Sequence, residues 1–166
     1  ILSRDQIERA NAQTAADLLT TDGLLTVQKS QQGGGSPMIR GFESSRVLLV
    51  MDNVKMNNLI YRAGHLQNII TVDPSILERV EVLYGPSSVS YGSDALGGVV
   101  AFRSKNPVLG DGGKTWFSGN AFMRYGSANQ ETTGHVDFNI GGERFASLTS
   151  LSYSNFGDLR SGRRKN

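Results

Sequence analysis

The stretch from Val72 to Ser104 constrains the fold more than any other part of the chain, because four glycines fall within fourteen positions between two apolar segments. The apolar segments predict short buried strands at Arg79–Leu83 and Val99–Arg103. Each glycine between them permits a chain reversal where a side chain would clash. We therefore expect two buried strands separated by a compact series of turns, whose turn residues are Gly85, Pro86, Gly92, Gly97 and Gly98.

Charged side chains interrupt the first of these strands. Asp73 and Pro74 predict a one-turn helix just before it, with the aspartate as the N-cap and the proline in the first turn. Glu78, Arg79 and Glu81 then lie among apolar residues, so at least one ionised group must project from a sheet whose other face is apolar. Since such charges need partners, we expect ion pairs here.

The first thirty residues predict an α/β beginning. A capping box at Ser3 predicts a helix that runs to about Ala10. The same device at Thr14 predicts a second helix, Ala15–Thr20, which a following glycine ends. Leu24–Lys29 then has the alternation of a strand.

A glycine-rich segment follows. Gln31–Pro37 predicts a flexible loop, and it lacks the lysine and the following helix that a phosphate-binding loop requires. Beyond it, Met38–Phe42 and Val47–Met51 predict two strands, and Asp52-Asn53 predicts a tight hairpin turn. The polar, irregular segment Asn57–Asn68 is where we expect ligand contacts, because loops on a rigid scaffold carry recognition.

Beyond Pro107 the sequence changes to glycine and to alternation of polar and apolar residues. This pattern predicts strands at 115–125, 134–140 and 145–156, with a tight turn at Gly141-Gly142. Both a half-exposed soluble sheet and a transmembrane β-barrel with apolar side chains facing outward produce this alternation. One face of the first two strands holds Phe117, Gly119, Ala121, Met123 and Tyr125, and Gly134, Val136, Phe138 and Ile140. The other face holds Ser118, Asn120 and Arg124, with Trp116 and Phe122, in the first strand, and His135, Asp137 and Asn139 in the second.

The composition excludes several classes of function. A net charge of +2, with the basic excess mostly in the C-terminal tail, gives no nucleic-acid footprint. The absence of cysteine excludes disulfides, zinc knuckles and thiol catalysis. His65 and His135 lie far apart, and no nucleophile or metalloprotease motif accompanies them, so we expect no enzyme.

The order of these motifs resembles the plug signature of TonB-dependent outer-membrane receptors. The resemblance is carried by Glu78–Val82, Gly85-Pro86, Tyr91–Ser93 and Ala95–Val99, with Ile39–Phe42 and Val47–Asp52 upstream. It implies an α/β plug domain over residues 1–108, with a small mixed sheet and short helices. Residues 114–166 would then form the first three antiparallel strands of a large transmembrane β-barrel. Because such a barrel needs about 22 strands, we expect the remaining strands to be supplied by more chain after Asn166 or by a second fragment.

The resemblance also implies a function and partners. It implies a ligand-gated importer in the bacterial outer membrane, with the plug filling the barrel lumen and facing the periplasm. TonB would pull on a segment upstream of Ile1, outer-membrane lipid would surround the barrel, and the ligand would be a small molecule or a haem-carrying protein. No catalytic cofactor is implied. The alternative from another class is a non-transporting surface-binding or adhesion module.

The segment Tyr61-Arg62-Ala63-Gly64-His65 resembles the plug apex of haem and haemoglobin receptors. The resemblance implies ligand contacts at Tyr61, Arg62 and His65, with His65 as an axial ligand of haem iron, a role that neutral imidazole suits. Haem is therefore the first ligand that we consider. Siderophore-type iron chelates, cobalamin, sugars and peptides stay open.

Two further expectations concern charges and topology. Arg40, in Ile39-Arg40-Gly41, resembles the plug arginine that pairs with carboxylates on the barrel wall, whereas the family's usual second arginine is Tyr84 here. Gly41 is expected to form a structural turn. If the plug ends on the periplasmic side, Gly126–Gln130 is an outer loop, Gly141–Arg144 is a periplasmic turn, and the chain from Asn155 onward begins the next outer loop.

Overall fold

The computed structural model describes residues 1–21, 23, 25–29, 35–42, 46–56 and 67–158. The chain divides into two compact units, Ile1–Lys105 and Asn106–Asn166. Within the described ranges, every helix is too short and not apolar enough to cross a membrane.

The first unit begins with two short helices and a two-stranded sheet. α1 (Arg4–Ala10) starts after Ser3, whose backbone N–H donates to Gln6 Oε1 at 2.9 Å. α2 (Ala15–Thr21) starts after Thr14, whose Oγ1 accepts from the backbone N–H of Asp17 at 3.1 Å. Both caps confirm the predicted helix starts. β1 (Thr26–Lys29) then pairs antiparallel with β2 (Gly35–Met38).

A four-stranded mixed sheet forms the centre of the unit. Its strands are β3 (Val47–Met51), β4 (Val54–Lys55), β5 (Leu77–Leu83) and β6 (Gly98–Ser104), in the order β4-β3-β6-β5. β3 runs parallel to β6, and the other two pairs are antiparallel. The predicted strands at 47–51, 79–83 and 99–103 are confirmed, the last two being slightly longer than expected.

The core lies between one face of this sheet and the helices. Val80, Val100 and Phe102 of the sheet are fully buried and belong to the same apolar cluster as Leu18 and Leu19 of α2. Each such side chain contributes about 1.5–3 kcal/mol by leaving water. The opposite face has a smaller buried apolar cluster that consists of Leu48, Val50, Ala95, Val99 and Ala101.

Two predictions in the glycine-rich region are wrong. Gly35, Ser36 and Pro37 were expected in a loop, but they belong to β2, where Gly35 packs closely against Val27 of β1. Residues 31–34 of that predicted loop lie outside the described residues. The prediction of a strand at Met38–Phe42 is also wrong, because the chain reverses at Arg40 (φ 50°) and Gly41 (φ 83°). This turn is closed by paired backbone hydrogen bonds between Ile39 and Phe42 at 2.8 and 2.9 Å.

The remaining turns follow the predicted chemistry. Asp52 and Asn53 both adopt left-handed backbone, with φ of 47° and 69°, and join β3 to β4 in a two-residue hairpin turn. The side chain of Asp73 accepts from the backbone N–H of Ser75 at 2.8 Å and caps a 3₁₀ turn, Pro74–Ile76. Further single turns are α3 (Pro86–Val89) and the 3₁₀ segments Gln67–Thr71 and Ser93–Ala95.

The second unit contains three antiparallel strands. β7 (Trp116–Gly126), β8 (Glu131–Gly141) and β9 (Ala146–Asn155) pair in the order β7-β8-β9. The register from Trp116↔Gly141 to Gly126↔Glu131 is continuous. These strands confirm the three that the alternation predicted.

Candidate functional sites

Arg40 lies at the tip of the turn between β2 and β3. It is exposed, and its guanidinium carbon lies 5.2 Å from the centroid of the Tyr84 ring. A cation–π contact at an exposed site is worth about 0.5–1 kcal/mol. The structure thus brings together the predicted plug arginine and the tyrosine that replaces the second arginine of the family. Pairing of Arg40 with a barrel wall stays a prediction.

The charged residues of β5 form one local ion pair. Arg79 Nε lies 2.7 Å from Glu81 Oε1, and the two side chains are 51% and 21% exposed. An exposed pair of this kind contributes at most about 1 kcal/mol, because water screens both charges. Glu78 is exposed. This ion pair is local to the sheet surface, and within the described residues it includes no third charged side chain.

The glycine turns hold the short segments between β5 and β6 close to the sheet. Ser88 Oγ donates to the carbonyl of Gly85 at 2.8 Å, and the backbone N–H of Gly92 donates to the carbonyl of Val89 at 3.0 Å. A Cβ added to Gly97 would lie 2.5 Å from Phe42 Cβ, and one added to Gly98 would lie 2.8 Å from the Leu83 carbonyl oxygen. Close approach of backbone therefore requires glycine at both positions.

The second unit carries a row of polar side chains along one face of β8. Glu131 is fully buried, and its Oε1 accepts from Arg124 Nη2 at 2.7 Å, from Arg124 Nε at 3.1 Å and from Thr133 Oγ1 at 2.7 Å. Thr133 Oγ1 also lies 3.0 Å from Ser154 Oγ of β9. The Glu131 carboxylate therefore connects β8 to β7 directly and to β9 through Thr133.

The row continues toward the other end of β8. His135 Nδ1 is hydrogen-bonded to Ser152 Oγ at 2.6 Å, and its Nε2 to Asp137 Oδ2 at 3.0 Å. Asn139 exchanges two hydrogen bonds with the backbone of Val108, at 2.9 and 3.0 Å. We call this set the polar row, and its members are Arg124, Glu131, Thr133, His135, Asp137, Asn139, Ser152 and Ser154.

The opposite face of the same strands is apolar and exposed. Residues from Phe138, 36% exposed, to Met123, 84% exposed, lie there, whereas no polar residue of β8 in the row exceeds 4% exposure. A water-soluble sheet would bury the apolar face and expose the polar one. This distribution is typical of a transmembrane β-barrel wall, and of the two alternatives that the alternation left open it favours the barrel.

Sequence reasoning noted part of the polar row and missed the rest. It identified His135, Asp137 and Asn139 as one face of a strand and placed Arg124 on the polar face of the preceding strand, but it did not single out Glu131 or pair it with Arg124. Only the register Arg124↔Thr133 and Gly126↔Glu131 brings these two side chains within reach of each other. The sequence did carry a signal for this pair, because a basic residue and an acidic residue flank the predicted loop Gly126–Gln130.

The predicted ligand residues Tyr61, Arg62 and His65 lie outside the described residues. Among the residues that the structure does describe, no three His, Cys, Asp or Glu side chains are grouped so that they could hold a metal ion.

Comparisons with known proteins agree with this architecture. A curated "Hemin receptor" of Yersinia pestis is 33% identical over 143 residues, which are 84% of this chain and 19% of that protein. A "Vitamin B12 transporter BtuB" of Vibrio vulnificus (strain CMCP6) is 39% identical over 105 residues, which are 60% of this chain and 16% of that protein. The chain therefore spans less than a fifth of the length of these relatives.

Solved structures share the fold. The "Copper transporter OprC" superposes with a TM-score of 0.76 at 22% identity, covering 89% of this chain and 22% of that chain. A crystal structure of the ferric enterobactin receptor PfeA gives a TM-score of 0.64 at 18% identity, covering 94% of this chain and 24% of that chain. At these identities the likeness concerns the fold alone.

A family model places the chain directly. The model described as "TonB-dependent Receptor Plug Domain" matches residues 1–99, which include α1, α2, α3 and the glycine turns of the first unit. The match confirms the resemblance inferred from the motifs of the sequence. Since it covers more than half of the chain, the chain belongs to the TonB-dependent receptor plug domain family.

Proposed function

We propose that this chain is part of a TonB-dependent importer of the bacterial outer membrane, with the first unit as its plug and β7, β8 and β9 as strands of its barrel wall. The observation that carries the proposal is the distribution of side chains on these three strands. Lipid can cover their apolar face at no cost, and a closed barrel would enclose the polar row. The plug family match supports the same assignment.

The proposed activity is ligand-gated import. The family consists of receptors and transporters, and catalysis is not part of its function. We infer that TonB acts on a segment upstream of Ile1, and that most of the barrel is supplied by chain outside these 166 residues. The length of the relatives supports the second inference, since the chain spans only 19% of the Yersinia pestis protein.

We propose an iron-containing ligand, with haem as the first candidate. Relatives from Yersinia pestis and Yersinia enterocolitica, both named as hemin receptors, are 33% identical to this chain. His65, with Tyr61 and Arg62 near it in sequence, is the proposed axial ligand. Two relatives named as vitamin B12 transporters make cobalamin a specific competitor, and a siderophore is the other.

The test uses the full receptor. It is expressed in a strain that lacks its own haem uptake, and growth is measured with haem as the only iron source, with and without TonB. Growth that depends on both the receptor and TonB is expected. Growth supported by cobalamin or by a ferric siderophore, with no growth on haem, would reassign the ligand while keeping the transporter.

The axial ligand is tested by absorption. The purified receptor is titrated with haem, and the shift of the Soret band is compared between the wild type, His65→Ala and His135→Gln. The chain has only two histidines, so the second variant is a matched control. We expect His65→Ala alone to lose the shift. A wild type without any shift would refute haem binding.

A further inference from the structure

The segment that leads from β6 into β7 is attached to one end of β8. We call residues 106–115 the linker; it has no regular secondary structure and belongs to the same compact unit as β8. The backbone N–H of Val108 donates to Asn139 Oδ1 at 2.9 Å, and the Val108 carbonyl accepts from Asn139 Nδ2 at 3.0 Å. The side-chain amide of Asn139 thus pairs with a linker residue as the backbone of a neighbouring strand would.

Glycines allow the linker to approach the turn between β8 and β9 closely. The backbone N–H of Gly110 donates to the carbonyl of Gly142 at 3.0 Å. A Cβ added to Gly141 would overlap the Val108 carbonyl oxygen and would lie 3.0 Å from the Gly110 nitrogen. The absence of a side chain at Gly141 is therefore a second feature, independent of Asn139, that fits this end of β8 to the linker.

The attachment is polar. Val108 and Leu109 are 56% and 53% exposed, so burial of their side chains contributes little to holding the linker. Asn139 is only 4% exposed, and a buried amide that loses its partners loses stability. The bound linker supplies both partners of this amide, and the two hydrogen bonds of Asn139 are therefore its main attachment.

We propose that Asn139 anchors the linker to the barrel wall, so that displacement of the plug by TonB stops at Val108. The inference rests on the proposed function, because the anchor has a role only if the plug moves. The plug and the anchor lie in different compact units, Ile1–Lys105 and Asn106–Asn166. Opening the first unit breaks none of the hydrogen bonds that Val108 and Gly110 make to β8 and its turn.

The anchor shortens the tether of a displaced plug. A detached linker would add the eight residues Val108–Thr115 to the free chain before β7, which begins at Trp116. Eight residues span about 26–29 Å when extended. The effective concentration of a tethered partner falls as its flexible tether lengthens. An anchored linker therefore keeps the displaced plug near the barrel and favours its return.

The first test is hydrogen exchange of the full receptor over a urea series, read residue by residue. In the wild type, we expect the Val108 amide to stay protected at urea concentrations at which Val100 of β6 exchanges freely. Its protection should be lost only together with that of Phe138 in β8. In Asn139→Ala, Val108 should exchange about tenfold faster or more, with Phe138 unchanged. Ser118→Ala, directly opposite Asn139 on β7, is the matched control and should leave Val108 unchanged.

The second test measures a length. The full receptor is held in a lipid bilayer and pulled from its N-terminus, and the chain length extracted before the first barrel strand yields is recorded. Loss of the anchor in Asn139→Ala should lengthen this extracted chain by about 26–29 Å. Ser118→Ala should give the wild-type length.

Three results would overturn the inference. Loss of Val108 protection together with Val100 in the wild type would show that the linker opens with the plug. Unchanged protection in Asn139→Ala would assign the attachment to the Gly110 hydrogen bond, and equal extracted lengths would show that the linker is already free. Should Asn139→Ala fail to fold, the wild-type urea series still decides the first point. Asn139→Asp, which keeps the acceptor and loses the donor, then replaces it and should speed Val108 exchange.

These measurements need no ligand. A receptor that keeps Val108 protected but imports no haem would refute the proposed ligand and keep the anchor. Growth that does not depend on TonB would refute the proposed function, and the urea series would still show whether Val108 is held independently of the plug. A receptor that imports haem while Val108 opens together with Val100 would refute the anchor alone.

Discussion

Replacing Glu131 with alanine gives the sharpest test of the polar row. The wild-type carboxylate is fully buried and accepts three hydrogen bonds on Oε1, two of them from Arg124. In Glu131→Ala, the Arg124 guanidinium, only 14% exposed, keeps its charge and loses the Glu131 carboxylate. Thr133 is less affected, because Ser154 lies 3.0 Å away and can take over its hydrogen bond.

The expected loss of stability follows from the positive charge of Arg124, which no longer has the Glu131 carboxylate beside it. Removing one partner of a buried ion pair costs about 3–5 kcal/mol, and the residual exposure of Arg124 places the expected loss near the lower end, about 3 kcal/mol. Glu131→Gln keeps the shape and one acceptor but loses the charge, so a smaller loss is expected. The double variant Arg124→Leu with Glu131→Leu removes both charges and should recover most of the loss, because no unpaired ion is left.

The assay is urea unfolding of the full receptor in detergent micelles. The control is Thr132→Ala, which lies next to Glu131 but on the exposed face of β8 and should change the free energy of unfolding by no more than about 0.5 kcal/mol. A Glu131→Ala variant as stable as this control would refute the reasoning. So would a double variant whose loss equals the sum of the single losses, since the two side chains would then not interact.

Four more changes have defined outcomes. Gly98→Ala forces a Cβ to 2.8 Å from the Leu83 carbonyl oxygen at a φ of +143°, and it should lower the free energy of urea unfolding by about 1–3 kcal/mol. In the control Gly134→Ala, the added Cβ has nothing within 4 Å, so this free energy should stay unchanged. Asp52→Ala removes the carboxylate that accepts from the Ser104 backbone N–H (2.9 Å) and from Ser104 Oγ (2.6 Å), and it should lower the free energy of unfolding by about 1–3 kcal/mol. Ser104→Ala should lower it by less, since the hydrogen bond from the backbone N–H remains. If Arg40 also pairs with the barrel wall, Arg40→Ala should lower the free energy of unfolding by more than the roughly 1 kcal/mol of its contact with Tyr84. Unchanged stability and uptake would show that no such pair exists. Trypsin added to intact cells should cleave within Arg160–Lys165 and spare Arg144, and the reverse pattern would invert the proposed topology.

Local features of the fold were predictable because short-range chemistry determines them. The caps at Ser3 and Thr14, the Asp52-Asn53 hairpin turn and the Asp73-Pro74 turn each depend on residues within a few positions of one another. The wrong strand at Met38–Phe42 has a local cause as well. Its apolar residues suggested continuous pairing, but the left-handed backbone at Arg40 and Gly41 reverses the chain instead.

The candidate sites were less predictable because they depend on distant residues. Arg124 and Glu131 are brought together by the β7–β8 register, and His135 meets Ser152 only through the β8–β9 register. Likewise, Arg79 and Arg103 are 24 positions apart, and their opposition appears only once β5 and β6 are paired. Periodicity shows which residues share a face, but it does not show which face is covered.

The polar row also explains how these strands hold their register. In a water-soluble sheet, burial of the apolar face sets the register, since a slip of one residue exposes every core side chain. Where lipid covers the apolar face, the same slip is also disfavoured, because it would place polar side chains in hydrocarbon. Here a slip of one residue would turn Glu131, His135 and Asp137 toward the apolar face, and it would break their hydrogen bonds to β7 and β9. Hydrogen bonds of the polar row therefore specify the register together with the apolar pattern of the opposite face, and loss of a single row member should weaken strand pairing as well as local stability.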